Sequence, residues 1–298
     1  MVRRMIVATA VLAAALAMVG CGSQSESRGP VIVATTSQVA DFVRNITGPD
    51  VTVIQLLPPN VEPHEYEPKP SDLTALADAT AIVANGAGMD DWIGQLRDSA
   101  GSSAPIVDAT RGIVTQSHAG STDPHVWMDP RLAITMVENI RDGLATAAPA
   151  RKEADARRAA AYIGQLRELD VEIARQIATV PPANRRIVTD HDAFGYFARR
   201  YGVTVIGTAI ASPVSGAEPS SRDLAALIDL MRRERVRVIF AESGINPQIA
   251  RALADELGVQ VAGVLWADSL GPKDSGAATY IEMMRTDTRE LIAGMRRG

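Results

Sequence analysis

The stretch ARKEADARRAAAYIGQLRELDVEIARQIATV, residues 150–180, decides how the rest of the chain is organised. It contains no proline, and Tyr162, Leu166, Leu169, Ile173 and Ile177 recur at helical spacing with polar and charged residues between them. At 1.5 Å per residue, roughly 30 residues form a rod about 45 Å long. That exceeds one small domain, so the stretch reads as a backbone helix running from a first lobe to a second. Pro181-Pro182 ends it.

The same alternation stands on either side of this rod. Before it, residues 31–36, 51–57, 81–86 and 106–108 are short apolar runs that read as strands. Helices open between them, capped by Ser37 and Ser71 or starting at Asp91, and another spans residues 131–144. After it, residues 186–191, 203–209, 236–242 and 259–265 read as strands, and 193–200, 246–257, 279–295 and a segment from Ser220 onward as helices. Near-continuous apolar strands alternating with helices form parallel sheets covered on both faces. The expected fold is therefore α/β, with two similar lobes, each a parallel sheet with helices on both faces, joined by one long backbone helix. The expected divisions are a lobe at 30–149, the helix at 150–180 and a lobe at 181–298.

Composition narrows the function. The chain is 46% hydrophobic and 22% charged, ordinary for a globular protein of two domains. A net charge of −5 and the absence of any Lys/Arg-rich run argue against nucleic acid as a partner. Aromatics make up only 4%, too few for an extended stacking surface. At the N-terminus, Arg3 and Arg4 precede an apolar run, residues 5–19, which is shorter than the ~20 residues a membrane-spanning helix needs. Residues 1–20 thus read as a signal peptide. Met18-Val19-Gly20-Cys21 resembles the lipobox of bacterial lipoproteins, and Cys21 is the only cysteine. The expectation is acylation at Cys21, a polar tether over residues 21–29 and a location on the extracytoplasmic face of the cell membrane.

Chemistry concentrates in the histidines, of which there are four: His64, His118, His125 and His191. His64 sits in a proline-rich run, residues 58–72, which reads as a stiff loop that is neither helix nor inner strand. His64, His125 and His191 each lie at or after the end of an expected strand, as does Asp268. Strand carboxyl ends in parallel sheets face one crevice, so these four residues can converge between the lobes. Three imidazoles and a carboxylate suit a divalent first-row ion. Any one of these histidines alone is more readily a capped or solvent-facing side chain, and no HxxxH or HExxH pair makes the match local. Periodicity supports a cleft and only suggests a metal.

Four blocks sharpen this: Pro63-His64-Glu65-Tyr66-Glu67-Pro68, Asp123-Pro124-His125-Val126-Trp127-Met128-Asp129-Pro130, His191-Asp192-Ala193-Phe194-Gly195-Tyr196-Phe197 and Ala267-Asp268-Ser269-Leu270. In this order they resemble the signature blocks of the zinc/manganese-binding solute receptors of bacterial ABC transporters, over nearly the whole mature chain. The resemblance implies a lipoprotein that captures one metal ion between its lobes and delivers it to a membrane permease with a separate ATPase, working as a monomer. Carried over by position, the ligands are His64, His125, His191 and Asp268, with Glu242 beside them. Zn²⁺ is favoured and Mn²⁺ next, because the manganese branch usually places a carboxylate where this chain has His191. His118 falls where many zinc-binding members carry a histidine-rich insert, which is short here. With the first-lobe ligands preformed, His191 and Asp268 would close the site by a small movement.

Two rival readings remain. A secreted zinc hydrolase would need an open coordination position and a base such as Glu62, Glu65 or Glu67. A surface adhesin of the same fold has no separate support in the sequence. No phosphate-binding GxxxxGK[ST] loop occurs, so the chain is not the transporter's ATPase.

Overall fold

The structure is a computed structural model that describes residues 29–59, 63–118, 121–209, 221–244 and 247–297, with the backbone alone of Glu65 and His118. Cys21, the signal segment and the tether through residue 28 lie outside the described residues, as do Glu62 and the side chains of Glu65 and His118.

The first lobe is built on β1 (Val31–Ala34), β2 (Thr52–Gln55), β3 (Ala81–Ala84) and β4 (Ile106–Asp108), all parallel in the order β2-β1-β3-β4. Helices α1 (Ser37–Thr47), α2 (Pro70–Ala77), α3 (Ile93–Ser99) and α4 (Pro130–Ala147) accompany it. The helix starts differ slightly from the sequence reading. Thr36, not Ser37, caps α1, its hydroxyl accepting from the Val39 amide. Pro70 opens α2 one residue ahead of Ser71, and Asp72 accepts from the Lys69 amide at 2.7 Å.

The proline-rich loop carries more structure than its sequence suggested, because Pro63–Glu65 forms a 3₁₀ turn that includes His64. Proline's fixed φ suits the first position of such a turn as well as it suits a loop. A two-residue antiparallel ladder, β5 (Ser117–His118) with β6 (Ser121–Thr122), lies in the polar loop before His125.

In the second half, β7 (Arg186–Thr189) pairs in parallel with β8 (Thr204–Thr208), and β9 (Val238–Glu242) with β10 (Gln260–Leu265). The ladder divides into these two pairs, with β7 and β9 adjacent. Helices α6 (Gly195–Tyr201), α7 (Ser221–Glu234), α8 (Pro247–Leu257) and α9 (Tyr280–Arg297) surround them. Among the described residues, no helix is long and apolar enough to cross a membrane.

The connecting helix α5 covers Lys152–Ile177, entered through a 3₁₀ turn at Pro149–Arg151. Its 26 residues make a rod about 39 Å long, shorter than expected because both ends of the proline-free stretch turn off the helix. Arg151 donates to the Thr47 carbonyl and Tyr162 to Asp41 in the first lobe. Further along, Glu172 pairs with Arg285 at 2.8 Å, and Thr179 just past the helix accepts from Arg296. One buried apolar cluster runs from Phe42 and Trp127 through Tyr162, Leu166 and Leu169 of α5 to Phe197, Phe240 and Met284. Fully burying a side chain such as Leu166 contributes roughly 1.5–3 kcal/mol, so a continuous core strongly resists wide separation of the lobes.

Asp287 on α9 is fully buried, accepts from the Trp266 amide through Oδ1, and offers Oδ2 no hydrogen-bond partner among the described residues. Burial, with Glu242 and Glu290 nearby, outweighs the opposing Trp266 amide and Arg289 and raises its pKa well above 3.8. The folded state therefore holds a proton that the unfolded state releases, and stability declines as pH rises from about 4 through the folded-state pKa. Denaturant melts at pH 5 and pH 8 should show Asp287→Asn less sensitive to this rise than wild type. Equal slopes for both proteins would refute the assignment.

Candidate metal centre

His125, His191 and Asp268 are buried, and the His64 ring is nearly so. Each arrives on its own segment: His64 on the 3₁₀ turn after β2, His125 before a 3₁₀ turn at Val126–Met128, His191 after β7 and Asp268 after β10. One ligand atom from each can be chosen so that all lie within 4.8 Å of one another. His125 Nε2 is central, 3.4 Å from the Nε2 atoms of both His64 and His191 and 2.9 Å from Asp268 Oδ1. Asp268 Oδ2 lies 3.1 Å from His191 Nε2, and His64 Nε2 is 4.0 Å from Oδ1.

Carboxylates hold the far sides of two rings. Asp123 Oδ1 is 2.8 Å from His125 Nδ1 and also accepts the His125 amide at 3.0 Å. Glu242 Oε2 lies 2.7 Å from His191 Nδ1, and Oε1 accepts the His191 amide. Asp190 fixes Glu242 in turn by accepting its amide at 2.9 Å, and burial followed by repulsion from Glu242 raises Asp190 to about 7. With Nδ1 protons directed to carboxylates, the Nε2 lone pairs of His125 and His191 point inward. Once deprotonated, lone pairs facing each other at 3.4 Å cannot satisfy one another, whereas a proton or a metal cation among them would.

The electrostatics match that reading. Burial pulls the His64 pKa down to about 4. Burial would lower His125 too, but Asp123 and Asp268 outweigh it and raise the ring to about 9. His191 is raised well above the ordinary value, burial again being overcome by Asp268 and Glu242. Those imidazoles hold Asp268 well below the carboxylate range despite its burial. Uptake of an ion therefore displaces protons.

Sequence reasoning did not single out Asp123 or Asp190. The first had a signal: Asp two residues before His125 is the pattern of an Asx turn. The loop of Asp268 is also held in an unexpected way. The Ala267 carbonyl accepts from Trp127 Nε1 at 3.1 Å and Gln38 Nε2 at 3.5 Å, while the Leu270 amide donates to Ser37 Oγ at 2.8 Å. Asp268 follows a second-lobe strand but its loop is bonded to the first lobe, whereas His191 is braced directly by Glu242 of the second. The Tyr66 hydroxyl and the Lys69 amide both donate to Asp72 at 2.7 Å, bracing the chain just beyond His64.

Two α/β lobes meeting on a buried His₃Asp cage define the class: a two-lobed binding protein for a small cation. A family profile described as zinc-uptake complex component A, periplasmic, matches residues 32–294, and the chain belongs to that family. The manganese-binding lipoprotein MntA of Halalkalibacterium halodurans is 31% identical over 96% of each chain. The iron-binding protein YfeA of Yersinia pestis is 29% identical over 88% of this chain and 85% of its own. The solved structure of the periplasmic zinc-binding protein TroA from Treponema pallidum superposes with a TM-score of 0.83 at 29% identity, over 90% of this chain and 99% of that one.

Proposed function

We propose that this chain is an extracytoplasmic receptor that captures one divalent transition-metal ion and hands it to an ABC-type permease driven by a separate ATPase. The ion is zinc before manganese, and its ligands are His64, His125, His191 and Asp268. Glu242 and Asp123 orient two of the rings. Acylation at Cys21 tethers a monomer to the outer face of the membrane, and lobes at 30–149 and 181–298 flank the connecting segment at 150–180, most of which is α5. The observation that carries this reading is the convergence of three imidazoles and one carboxylate, with one ligand atom of each within 4.8 Å of the others, in a largely buried cage.

Three nitrogens and one oxygen are a zinc donor set, and a harder, oxygen-rich set would favour manganese. Relatives named for manganese, iron and zinc at about 30% identity show that family membership alone leaves the ion open. Four protein donors close a tetrahedral shell and leave no position for an activated water, which weighs against a hydrolase. Glu67, the one base candidate with a described side chain, is exposed. The test is calorimetric titration of metal-stripped protein with Zn²⁺ and Mn²⁺, singly and in competition, alongside thermal melts. Zinc at 100 times its Kd should add about 2.7 kcal/mol to stability. Absence of both binding and a melting shift for either ion would overturn the assignment.

A further inference from the structure

Asp170, two-thirds of the way along α5, collects bonds from both sides of the cage. Arg131, in the first turn of α4, donates from Nε to Oδ2 at 3.1 Å. Arg200 grips the carboxylate with two nitrogens, Nε to Oδ1 at 2.9 Å and Nη2 to Oδ2 at 2.7 Å, and the Tyr201 hydroxyl donates to Oδ1 at 3.1 Å. Asp129, the cap of α4, stands 4.0 Å from Arg200. Bidentate Arg–carboxylate pairs fix geometry as well as supply energy.

Both arginines lie a short, ordered path from a cage histidine. From His125 the chain makes one 3₁₀ turn, closed by Met128 N to His125 O at 3.0 Å, and reaches Asp129, which accepts the Arg131 amide. From His191 it passes Ala193, whose amide donates back to the His191 carbonyl, into α6, which ends at Arg200 and Tyr201. One carboxylate on the connecting helix thus ties the His125 segment of the first lobe to the His191 segment of the second.

Resting on the receptor reading above, we propose that Asp170 is a positioning residue for ion capture, setting the spacing of His125 and His191 from outside the cage. Without its charge, Arg131 and Arg200 would face each other with only Asp129 between them. The two segments would then lose their common anchor. A loosened pair of rings releases the ion faster and discriminates less between a small tetrahedral ion and a larger one.

The experiment loads wild type, Asp170→Asn, Arg200→Lys and a control, Glu172→Gln, with zinc, then follows release into excess chelator by tryptophan fluorescence. Zn/Mn competition and melting temperature are measured on the same samples. Asp170→Asn and Arg200→Lys should release zinc on the order of tenfold faster and show a reduced zinc-over-manganese ratio. Glu172→Gln, on the same helix but bonded to Arg285, should match wild type. A lower melting temperature with unchanged release rate and unchanged ion ratio would assign Asp170 a merely structural role and overturn the proposal. If Asp170→Asn fails to fold, the milder Arg200→Lys decides by the same two readouts. Failure of wild type to take up either ion would instead overturn the receptor reading itself.

Discussion

His125→Ala should lower zinc affinity by at least about tenfold, and by more than His64→Ala or His191→Ala. Loss of even an outer hydrogen-bonding partner of a ligating histidine typically costs 10–100-fold, so that range is a floor for losing the ring. His125 has the largest expected effect because it is the centre of the cage. Its Nε2 is within 3.4 Å of both other imidazoles and 2.9 Å from Asp268, whereas His64 approaches the carboxylate only to 4.0 Å. Removing it also strands Asp123, whose carboxylate faces the His125 Nδ1. Competition titration against a chromophoric chelator reads the affinity, with circular dichroism to confirm folding. If two of the three alanine variants bind zinc as tightly as wild type, the cage is not the site.

Trp127→Ala should produce the largest loss of stability, about 3–5 kcal/mol for a buried aromatic. The ring is fully buried, its Nε1 donates to Ala267, and its own carbonyl accepts from the Tyr280 hydroxyl at 2.6 Å. At roughly 2–4 °C per kcal/mol, the melting temperature should drop by roughly 6–20 °C. Trp127→Phe separates the two contributions, because it keeps most of the apolar volume but leaves the Ala267 carbonyl only the longer bond from Gln38, at a cost of about 1 kcal/mol. Since that carbonyl precedes Asp268, the phenylalanine variant should also bind zinc more weakly. Scanning calorimetry with and without zinc checks both points. A phenylalanine variant with wild-type melting and wild-type zinc affinity would remove the Trp127–Ala267 bond from the account.

What the sequence made legible, and what it did not, follows the range of the interactions. Strands such as residues 31–36 and 81–86 were visible because apolar β-branched runs between turn signals report burial locally. Cap positions slipped by one at Thr36/Ser37 and by two at Lys69/Ser71, where nearby residues also suit a helix start and only the geometry chooses. His64, His125, His191 and Asp268 could be nominated from their places after strands, but their approach to within 4.8 Å is a tertiary fact. Asp190 was hidden because its partner, the Glu242 amide, is distant in sequence. The bonds from Ser37, Gln38 and Trp127 to the Asp268 loop cross more than a hundred positions, and no local pattern encodes them.

The four proposed donors of the cage come from four separate segments, with no two on the same turn of chain. A lineage can therefore exchange one donor by a single codon change while the other three keep their supports. A site built on one local motif has no such freedom, because its residues share a helix and must change together. This architecture treats the identity of the ion as an adjustable trait and the scaffold as the inherited constant. Relatives at about 30% identity over most of this chain bear the names of different metals, as such a division of labour would allow.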